Sequence, residues 1–110
     1  MSDLAAEDQK LITLARASRA RTGTAEGAAV RDTDGRTYAA TTVALPSLKL
    51  TALQAAVAAA VSSGAEGLEA AAVVTDADAL DGDSVSAAHD LTPGIPVLRA
   101  DASGTHVDTV

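Results

Sequence analysis

The apolar residues of this chain are unusually small, and this restricts the kind of core that it can form. About a quarter of the chain is alanine, Phe and Trp are absent, and Tyr38 is its single aromatic residue. Aromatic and large aliphatic side chains normally provide most of the burial in a core, at roughly 1.5–3 kcal/mol each. An alanine methyl group contributes much less, and a chain of 110 residues buries a modest fraction of its surface. We therefore expect closely packed backbones, limited stability of the monomer, and self-association that supplies part of the burial.

The charge and hydropathy of the chain argue against nucleic acid and membranes as partners. The formal net charge is −7, whereas nucleic-acid-binding proteins usually present a basic face. The arginines concentrate in the first third of the chain, where a solvated helix end accounts for them. No segment approaches the roughly 18 uncharged apolar residues of a membrane span. The start, Met1-Ser2-Asp3-Leu4, lacks the basic and apolar regions of a secretory signal, so a cytoplasmic protein is expected.

The first part of the sequence predicts a helix followed by a β-hairpin. Residues 3–20 have apolar residues at helical spacing, with Ser2 or Asp3 as the cap and Gly23 as the end. The predicted apolar stripe of this helix comprises Leu4, Leu11, Leu14 and Ala15, continued by the small Ser18. Residues 26–44 predict a hairpin whose arms are 27–31 and 36–43. The segment Asp32-Thr33-Asp34-Gly35 supplies its turn.

The middle of the sequence predicts a second, alanine-rich helix. Pro46 breaks the strand pattern, and a helix from about Thr51 to Ser63 follows, with Thr51 as cap and Gly64 as stop. The apolar residues that repeat at helical spacing here are Leu50, Leu53, Val57, Ala60 and Val61. The other faces are nearly all alanine, so we expect this helix to be buried on several sides.

The last part of the sequence predicts strands around a short helix. The apolar run 70–75 indicates a buried strand, which completes a β-α-β unit with the preceding helix. An acidic loop at 76–83, a short helix at 84–91, and strands at 95–100 and 106–110 follow. The prediction is therefore an α/β fold with a mixed sheet. No repeat or long linker divides the chain, so residues 1–110 are expected to form a single domain.

No group of residues matches a common catalytic or metal-binding motif. Cysteine is absent, which removes disulfides and thiolate ligands. His89 and His106 fall in different predicted elements, and we interpret both as ordinary histidines. The acidic run that starts at Asp76 fails the spacing of a calcium-binding EF-hand, because its twelfth position is Ala87 rather than an acid. We also find no nucleophile elbow, phosphate loop or dinucleotide fingerprint.

Several short segments nevertheless occur in an order typical of one family. These segments are Gly27-Ala28-Ala29-Val30, Asp34-Gly35-Arg36 with Tyr38, an alanine-rich helix at 53–61, a strand at 70–74, and Pro96-Val97-Leu98 with Asp101 and Gly104. In this order the chain resembles the cytidine deaminase family through residues 4–75 and again at 96–104. The resemblance implies the family's three-layer sandwich, in which a mixed sheet carries an N-terminal helix and a central alanine-rich helix.

The resemblance also indicates which positions correspond to the family's reactive residues. In cytidine deaminases a zinc-bound water attacks the base, cysteine thiolates bind the zinc, and a glutamate transfers protons. Counting back along the alanine-rich helix places the first zinc-binding cysteine on Thr51 and the glutamate on Leu53. Counting forward from Thr42 instead places them on Leu53 and Ala55. Both registers remain open at the level of sequence.

The remaining positions are equally changed. The Asn and Glu that hold the ribose in the family fall near Thr42 and Ala44, and the Pro-Cys-x-x-Cys segment falls within residues 83–91, where Ser84 and Ala87 are the nearest counterparts. A catalytic zinc lowers the pKa of bound water from about 15.7 to about 7. Hydroxyl and methyl groups do not support that chemistry. We therefore expect no catalytic residue, no substrate-binding residue, no metal and no cofactor.

These considerations favour a non-catalytic protein. We expect a cytidine deaminase-like interaction or assembly module that works as a homo-oligomer (dimer or tetramer) or with a protein partner. The alternative is an enzyme of the nucleoside deaminase class with altered chemistry in the inherited pocket. The polar residues expected near that pocket are Thr42, Ser47, Lys49, Thr51 and Gln54, of which Lys49 is the plausible proton-transfer group. No small-molecule ligand is assigned from the sequence.

Overall fold

The described part of the chain forms a mixed sheet with helices on both faces. The computed structural model describes residues 4–110. Its elements are α1 (Ala6–Thr22), β1 (Gly27–Asp32), β2 (Thr37–Thr41), β3 (Val43–Leu45), β4 (Leu48–Leu50), α2 (Ala52–Ser62), β5 (Leu68–Val74), α3 (Gly82–Leu91), β6 (Val97–Ala100) and β7 (His106–Thr109). The sheet has the order β2-β1-β5-β6-β7, and within it only β5 and β6 pair in parallel. With α1 on one face and α2 and α3 on the other, this is the three-layer sandwich that the resemblance implies.

The two central strands are buried on both faces, which explains their continuous apolar sequence. Along β5, Ala71 and Val73 belong to the core beneath α2 and α3, whereas Ala70, Ala72 and Val74 belong to the core beneath α1. Strands covered on both faces have no polar side to alternate with. The buried strand predicted at 70–75 is present, with the bounds Leu68–Val74. The parallel neighbours β5 and β6 are joined through α3, while β1 lies between β2 and β5.

Helix α1 differs from its prediction in its bounds and in its buried face. It begins at Ala6, with Ala5 as an N-cap that has no side-chain hydrogen bond. The predicted caps Ser2 and Asp3 lie outside the described residues. Its buried face comprises Leu11, Ile12, Ala15 and Ser18. The assignment of Leu14 to this face was wrong, because Leu14 lies at its edge and is 37% exposed.

The backbone of α1 lies directly against β1 at Gly27. A Cβ atom at this position would be 2.0 Å from the carbonyl oxygen of Ala15 and 2.9 Å from Cβ of Arg19. Real Cβ atoms do not approach other atoms so closely, so the contact requires glycine. The close backbone packing expected from an alanine-rich sequence is therefore present between these two elements.

The segment between β2 and α2 contains a second hairpin that the sequence prediction missed. The second arm of the first hairpin ends at Thr41, and β3 then pairs with β4 in the register Leu45 to Leu48. Pro46 occupies the two-residue connection rather than ending strand structure, in keeping with the fixed φ that suits proline to turns. Leu45 and Leu48 are 56% and 49% exposed, so the hairpin has no buried alternation that would mark it in the sequence.

Helix α2 is buried on one side within the chain. Its inner face comprises Ala52, Leu53, Ala56, Val57 and Ala60. The prediction of burial on several sides is wrong for the isolated chain, because Ala58 and Val61 on the outer side are exposed. The predicted cap is confirmed, since Thr51 and Gln54 form a capping box at the start of the helix.

Candidate functional site

An open cleft of about 760 Å³ lies where the N-terminus of α2 faces the β3–β4 hairpin and the loop after β5. Thr42 and Ala44 contribute to the hairpin side of this cleft, and Thr51 and Gln54 contribute from the start of α2. The opposite side is formed by the segment that begins at Thr75. Of the positions that the resemblance nominated, Thr42, Ala44 and Thr51 therefore line one cavity, whereas Leu53, Ala55, Ser84 and Ala87 do not.

Thr51 connects the start of α2 to the start of α3. Its Oγ1 accepts a hydrogen bond from the backbone N–H of Gln54 at 3.2 Å, and the side-chain Oε1 of Gln54 accepts from the N–H of Thr51 at 2.9 Å. The hydroxyl of Ser84 donates to the same Oγ1 at 2.7 Å. Ser84 is only 2% exposed. Two residues that lie 33 positions apart in the sequence thus form a hydroxyl pair at the junction of two helices.

Leu53 belongs to the core. Its side chain is completely buried in the cluster beneath α2 and α3, together with Val57, Val30 and Ala88. Ala55 and Ala87, which the resemblance also nominated, are partly buried. Leu53 and Ala55, the two positions nominated for a glutamate, thus both carry apolar side chains.

Thr42 and Ala44 belong to the hairpin side of the cleft. The Oγ1 of Thr42 accepts from the N–H of Glu26 at 3.1 Å, and its own N–H donates to the carbonyl of Glu26 at 3.3 Å. Ala44 is exposed on β3. Thr42 therefore ties the hairpin to the segment that precedes β1, and Ala44 offers only a methyl group to the cleft.

Two arginines hold the loop that closes the far side of the cleft. Arg19 from α1 donates to Asp76 at 2.7 Å, and Arg99 from β6 donates to the carbonyl of Ala77 at 2.9 Å. Arg99 also pairs with Asp108, and this hydrogen-bonded carboxylate raises the pKa of its guanidinium. No sequence signal pointed to these contacts, because Arg19 and Asp76 are 57 positions apart.

The two histidines and the acidic residues of the loop at 76–83 are not brought together as a group of metal ligands. Nε2 of His89 is 2.9 Å from the carbonyl of Ile95, and His106 makes its contacts within β7. Asp81 caps α3 by accepting from the N–H of Asp83 at 2.8 Å. Within residues 4–110, no three His, Asp or Glu side chains are placed to hold one metal ion.

Comparison with known proteins accounts for the arrangement of the elements around this cleft. The family model described as "Cytidine deaminase-like" matches residues 4–104. The chain belongs to this cytidine deaminase-like family. The resemblance inferred from short sequence segments is thus confirmed. A search of curated protein sequences finds no significant match.

Solved cytidine deaminases share the fold. The cytidine deaminase from Burkholderia pseudomallei superimposes with a TM-score of 0.80 at 22% identity, covering 100% of this chain and 92% of that one. The cytidine deaminase from Mycobacterium leprae gives a TM-score of 0.72 at 21% identity, covering 96% of this chain and 94% of that one. At this level of identity the likeness concerns the fold. None of the helices within residues 4–110 has the length and apolar character of a membrane crossing.

The side chains at the helix junction do not fit the zinc ion that the family implies. Protein zinc sites use thiolate, imidazole and carboxylate ligands. The junction of this cytidine deaminase-like chain instead offers the neutral hydroxyls of Thr51 and Ser84, which bond to each other and to the helix cap. Cysteine is absent from the sequence. The side chains at this junction are therefore suited to hydrogen bonds between the two helices and not to zinc coordination.

Proposed function

We propose that this chain is a non-catalytic member of its family that acts as an interaction or assembly module. The observation that carries the proposal is the hydrogen bond of 2.7 Å between Ser84 and Thr51. Hydroxyls of this kind neither bind zinc strongly nor lower the pKa of a bound water to about 7. Their hydrogen bond instead joins α2 to α3.

The burial of Leu53 supports the same conclusion. A proton-transfer group must reach the reacting atoms within hydrogen-bond distance, whereas Leu53 is 0% exposed and carries no exchangeable proton. In the other register the corresponding residue is Ala55, which has no exchangeable proton either. The proposal therefore does not depend on which register is correct.

The direct test measures metal content and ammonia release together. The purified protein is expected to contain far less than one zinc ion per chain and to release no ammonia from cytidine or deoxycytidine above background, with or without added zinc. A zinc-dependent cytidine deaminase assayed in parallel is the control. Zinc-dependent ammonia release by the purified chain would refute the proposal.

A gain-of-binding experiment tests the correspondence of the junction to the family's metal site. The variant T51C/S84C/A87C places three thiols around the junction, and L53C/S84C/A87C does the same in the other register. We expect the first to bind Co²⁺ with the absorption of tetrahedral thiolate ligation, because Oγ1 of Thr51 and Oγ of Ser84 are already in contact. If only the second variant shows this absorption, the family's first zinc-binding cysteine corresponds to Leu53 rather than Thr51. If neither variant shows it, the junction does not correspond to the family's metal site.

The assembly role is supported by the exposed apolar surface of the chain. Leu45, Leu48 and Val61 are about half exposed, and Ala58 is exposed beside Val61 on α2. The free energy is lowered when a second molecule covers apolar surface of this kind. We propose a homo-oligomer, dimer or tetramer, in the cytoplasm.

The cleft itself supports a second candidate, an enzyme of the nucleoside deaminase class with altered chemistry. Its polar lining includes Lys49, Thr42 and Gln54. Stabilisation of the protein by nucleosides in a thermal-shift screen, followed by turnover that is lost in Lys49→Met, would favour this candidate. Retention of that turnover in the matched Lys10→Met variant, which changes a lysine on α1, would exclude a general charge effect.

A further inference from the structure

The two edges of the sheet differ in their protection against pairing with a further strand. The edge strand β7 carries Asp108, which pairs with Arg99, and a register shift interrupts its pairing with β6. Charged side chains and bulges are devices by which proteins block sheet edges. The opposite edge strand, β2, comprises Thr37–Thr41, carries no charge and no proline, and pairs with β1 in an unbroken register. The β2 edge therefore lacks these devices.

The residues of β2 alternate between bonding to β1 and facing the open edge. At one end the N–H of Asp32 donates to the carbonyl of Arg36 at 2.8 Å, and at the other end the N–H of Thr42 donates to the carbonyl of Glu26 at 3.3 Å. Since bonded pairs alternate in antiparallel strands, every second residue counted from Arg36 bonds to β1. The residues between them direct their N–H and C=O groups away from β1; they are Thr37, Ala39 and Thr41. Within residues 4–110, no strand pairs with this side of β2.

Helix α1 forms a largely apolar groove beside this edge. The groove has a volume of about 430 Å³. It is lined by side chains of α1 and one residue of β2, which are Ala6, Gln9, Lys10, Thr13, Leu14 and Thr37. Ala39 lies on the same face of the sheet, because its partner Ala29 belongs to the core beneath α1. A strand paired with β2 would therefore direct every second side chain towards the face that carries the groove.

The helices around β2 favour a single strand as the occupant of this edge. Both α1 and α2 contact β2, and they do so from opposite faces of the sheet. A second copy of the chain would bring the same two helices to the edge, where each would meet its equivalent. An extended peptide brings no such layers.

The charge of the groove indicates which peptide fits it. Lys10 is the charged residue among those that line the groove. It is exposed and forms no ion pair within residues 4–110. Asp8, two positions earlier on α1, is already paired with Arg31 at 3.0 Å. A carboxylate on the peptide would therefore complement the free ammonium group of Lys10.

We propose that the open edge of β2 binds an extended acidic peptide, which pairs with the backbone groups of Thr37, Ala39 and Thr41. Aliphatic side chains at every second position of the peptide occupy the groove, and a carboxylate contacts Lys10. In this mode of recognition, backbone hydrogen bonds provide affinity and alternate side chains provide specificity. This role rests on the proposed function, because it assigns a class of partner to an interaction module.

The test titrates the peptide acetyl-Glu-Thr-Val-Thr-Val-Thr-Glu-amide into ¹⁵N-labelled protein. The peptide has its valines and glutamates on one face and reads the same in both directions, so it suits either orientation of the added strand. We expect it to shift the amide signals of Thr37, Ala39 and Thr41 but not those of Val107 and Thr109 in β7. The expected dissociation constant is on the order of 0.1–1 mM. Absence of shifts in β2, or equal shifts in both edge strands, would overturn the inference.

Amide hydrogen exchange without the peptide distinguishes this occupant from a second copy of the chain. The N–H groups of Thr37, Ala39 and Thr41 should exchange faster than those of Tyr38 and Ala40 at every protein concentration, because only the latter bond to β1. Protection of all five that increases with protein concentration would assign the edge to a second copy and overturn the inference.

Matched variants separate the backbone hydrogen bonds from the shape of the edge. Ala39→Pro removes one outward N–H and leaves the bonds to β1 intact, a substitution that edge strands tolerate. We expect it to weaken peptide binding at least about threefold. Ala39→Val keeps the N–H and should bind within about twofold of wild type. Equal binding by the two variants would overturn the inference.

The charge contact is tested without changing the backbone of β2, so it remains decisive if Ala39→Pro does not fold. Lys10→Glu should weaken binding of the glutamate-flanked peptide about two- to fivefold. The counterpart acetyl-Lys-Thr-Val-Thr-Val-Thr-Lys-amide should not lose affinity for this variant. Tighter binding of the lysine-flanked peptide to the wild-type protein would overturn the inference. All these measurements omit zinc and nucleosides, so zinc-dependent ammonia release tests the proposed function separately.

Discussion

Asp32 and Tyr38 fix the first hairpin through a buried carboxylate. Asp32 is 1% exposed, and its oxygens accept from the N–H groups of Asp34 and Arg36 and from the Tyr38 hydroxyl, each at 2.9 Å. Burial raises the pKa of Asp32, but these donors outweigh it and the net pKa lies below 3.8. The pKa of Tyr38 is raised above 10.0, mainly by its hydrogen bond to Asp32 and to a smaller extent by burial.

The Tyr38 phenol can be titrated directly, because it is the single aromatic residue of the chain. We expect its ultraviolet absorbance to report a pKa above 10.0 in the folded protein. Since this pKa is raised, the stability that it provides is present below about pH 10 and is lost as pH rises through the folded value. In Asp32→Asn the pKa should move back towards 10.0, and an unchanged value would contradict the assigned contact.

The acid side of the stability profile should depend on the same pair. Because the pKa of Asp32 is lowered in the folded protein, the stability that its carboxylate contributes is present above about pH 4. This stability is lost as the pH falls through the pKa of Asp32 in the folded protein. Tyr38→Phe removes one donor, so we expect the pKa of Asp32 to rise, as followed by ¹³C NMR of its carboxyl group. An unchanged pKa of Asp32 in Tyr38→Phe would contradict the hydrogen bond between these two side chains.

The hydrogen bond from Ser84 to Thr51 should appear as a coupling free energy. Thr51→Val removes the cap of α2 and is expected to cost about 1–2 kcal/mol of unfolding free energy. Ser84→Ala should cost about 0.5–1.5 kcal/mol. In urea denaturation the double variant should be less destabilised than the sum of the two, because each single change already breaks the bond. Combining Thr51→Val with Thr13→Ala, on the exposed side of α1, should be additive.

Among the elements, the contact of α1 with β1 makes the sharpest prediction. Gly27→Ala forces a Cβ against the Ala15 carbonyl, so we expect a loss of about 1–3 kcal/mol or more from overpacking. Gly82→Ala is the control, because a Cβ there meets nothing within 4 Å at the start of α3. It should be neutral or stabilise by up to about 1 kcal/mol. Thermal and urea denaturation measure both, and equal effects would contradict the close approach.

Elements with a local signal could be predicted from the sequence, and those determined by tertiary contacts could not. The turn at 32–35 and the Thr51 cap carry their own chemistry, so both were located correctly. The β3–β4 hairpin was missed, because its exposed leucines give no buried alternation. Leu14 was placed in the core, because hydrophobicity alone does not show which edge of a helical stripe faces the sheet.

The candidate site shows the same division. Thr51 and Ser84 could be nominated from the family pattern, and the structure brings them into contact. Thr75 and Arg19 could not, because their place in the cleft depends on how β5 and α1 sit in the sandwich. A lone threonine at the end of an apolar strand has no periodicity or motif to distinguish it.

At the scale of the whole molecule, the described residues leave much apolar surface uncovered. The half-exposed aliphatic residues lie at the tip of the β3–β4 hairpin, on the outer side of α2 and at the end of the sheet; they are Leu45, Leu48, Val61, Val107 and Val110. A core in which half of the buried apolar residues are alanine provides little burial per residue. The stability of such a chain is therefore expected to increase with its concentration, as association adds burial.

The mass in solution tests this expectation. We predict a dimer or tetramer of the 10.9 kDa chain by light scattering at micromolar concentration. Ala58→Glu places a charge on the exposed side of α2 and should shift the population towards the monomer, because an unpaired carboxylate is costly to bury in an interface. Ala17→Glu makes the same change at an exposed site on α1 and should leave the mass unchanged. A wild-type mass of 10.9 kDa would contradict self-association. If both variants dissociate the oligomer equally, the assignment of α2 to the interface is wrong.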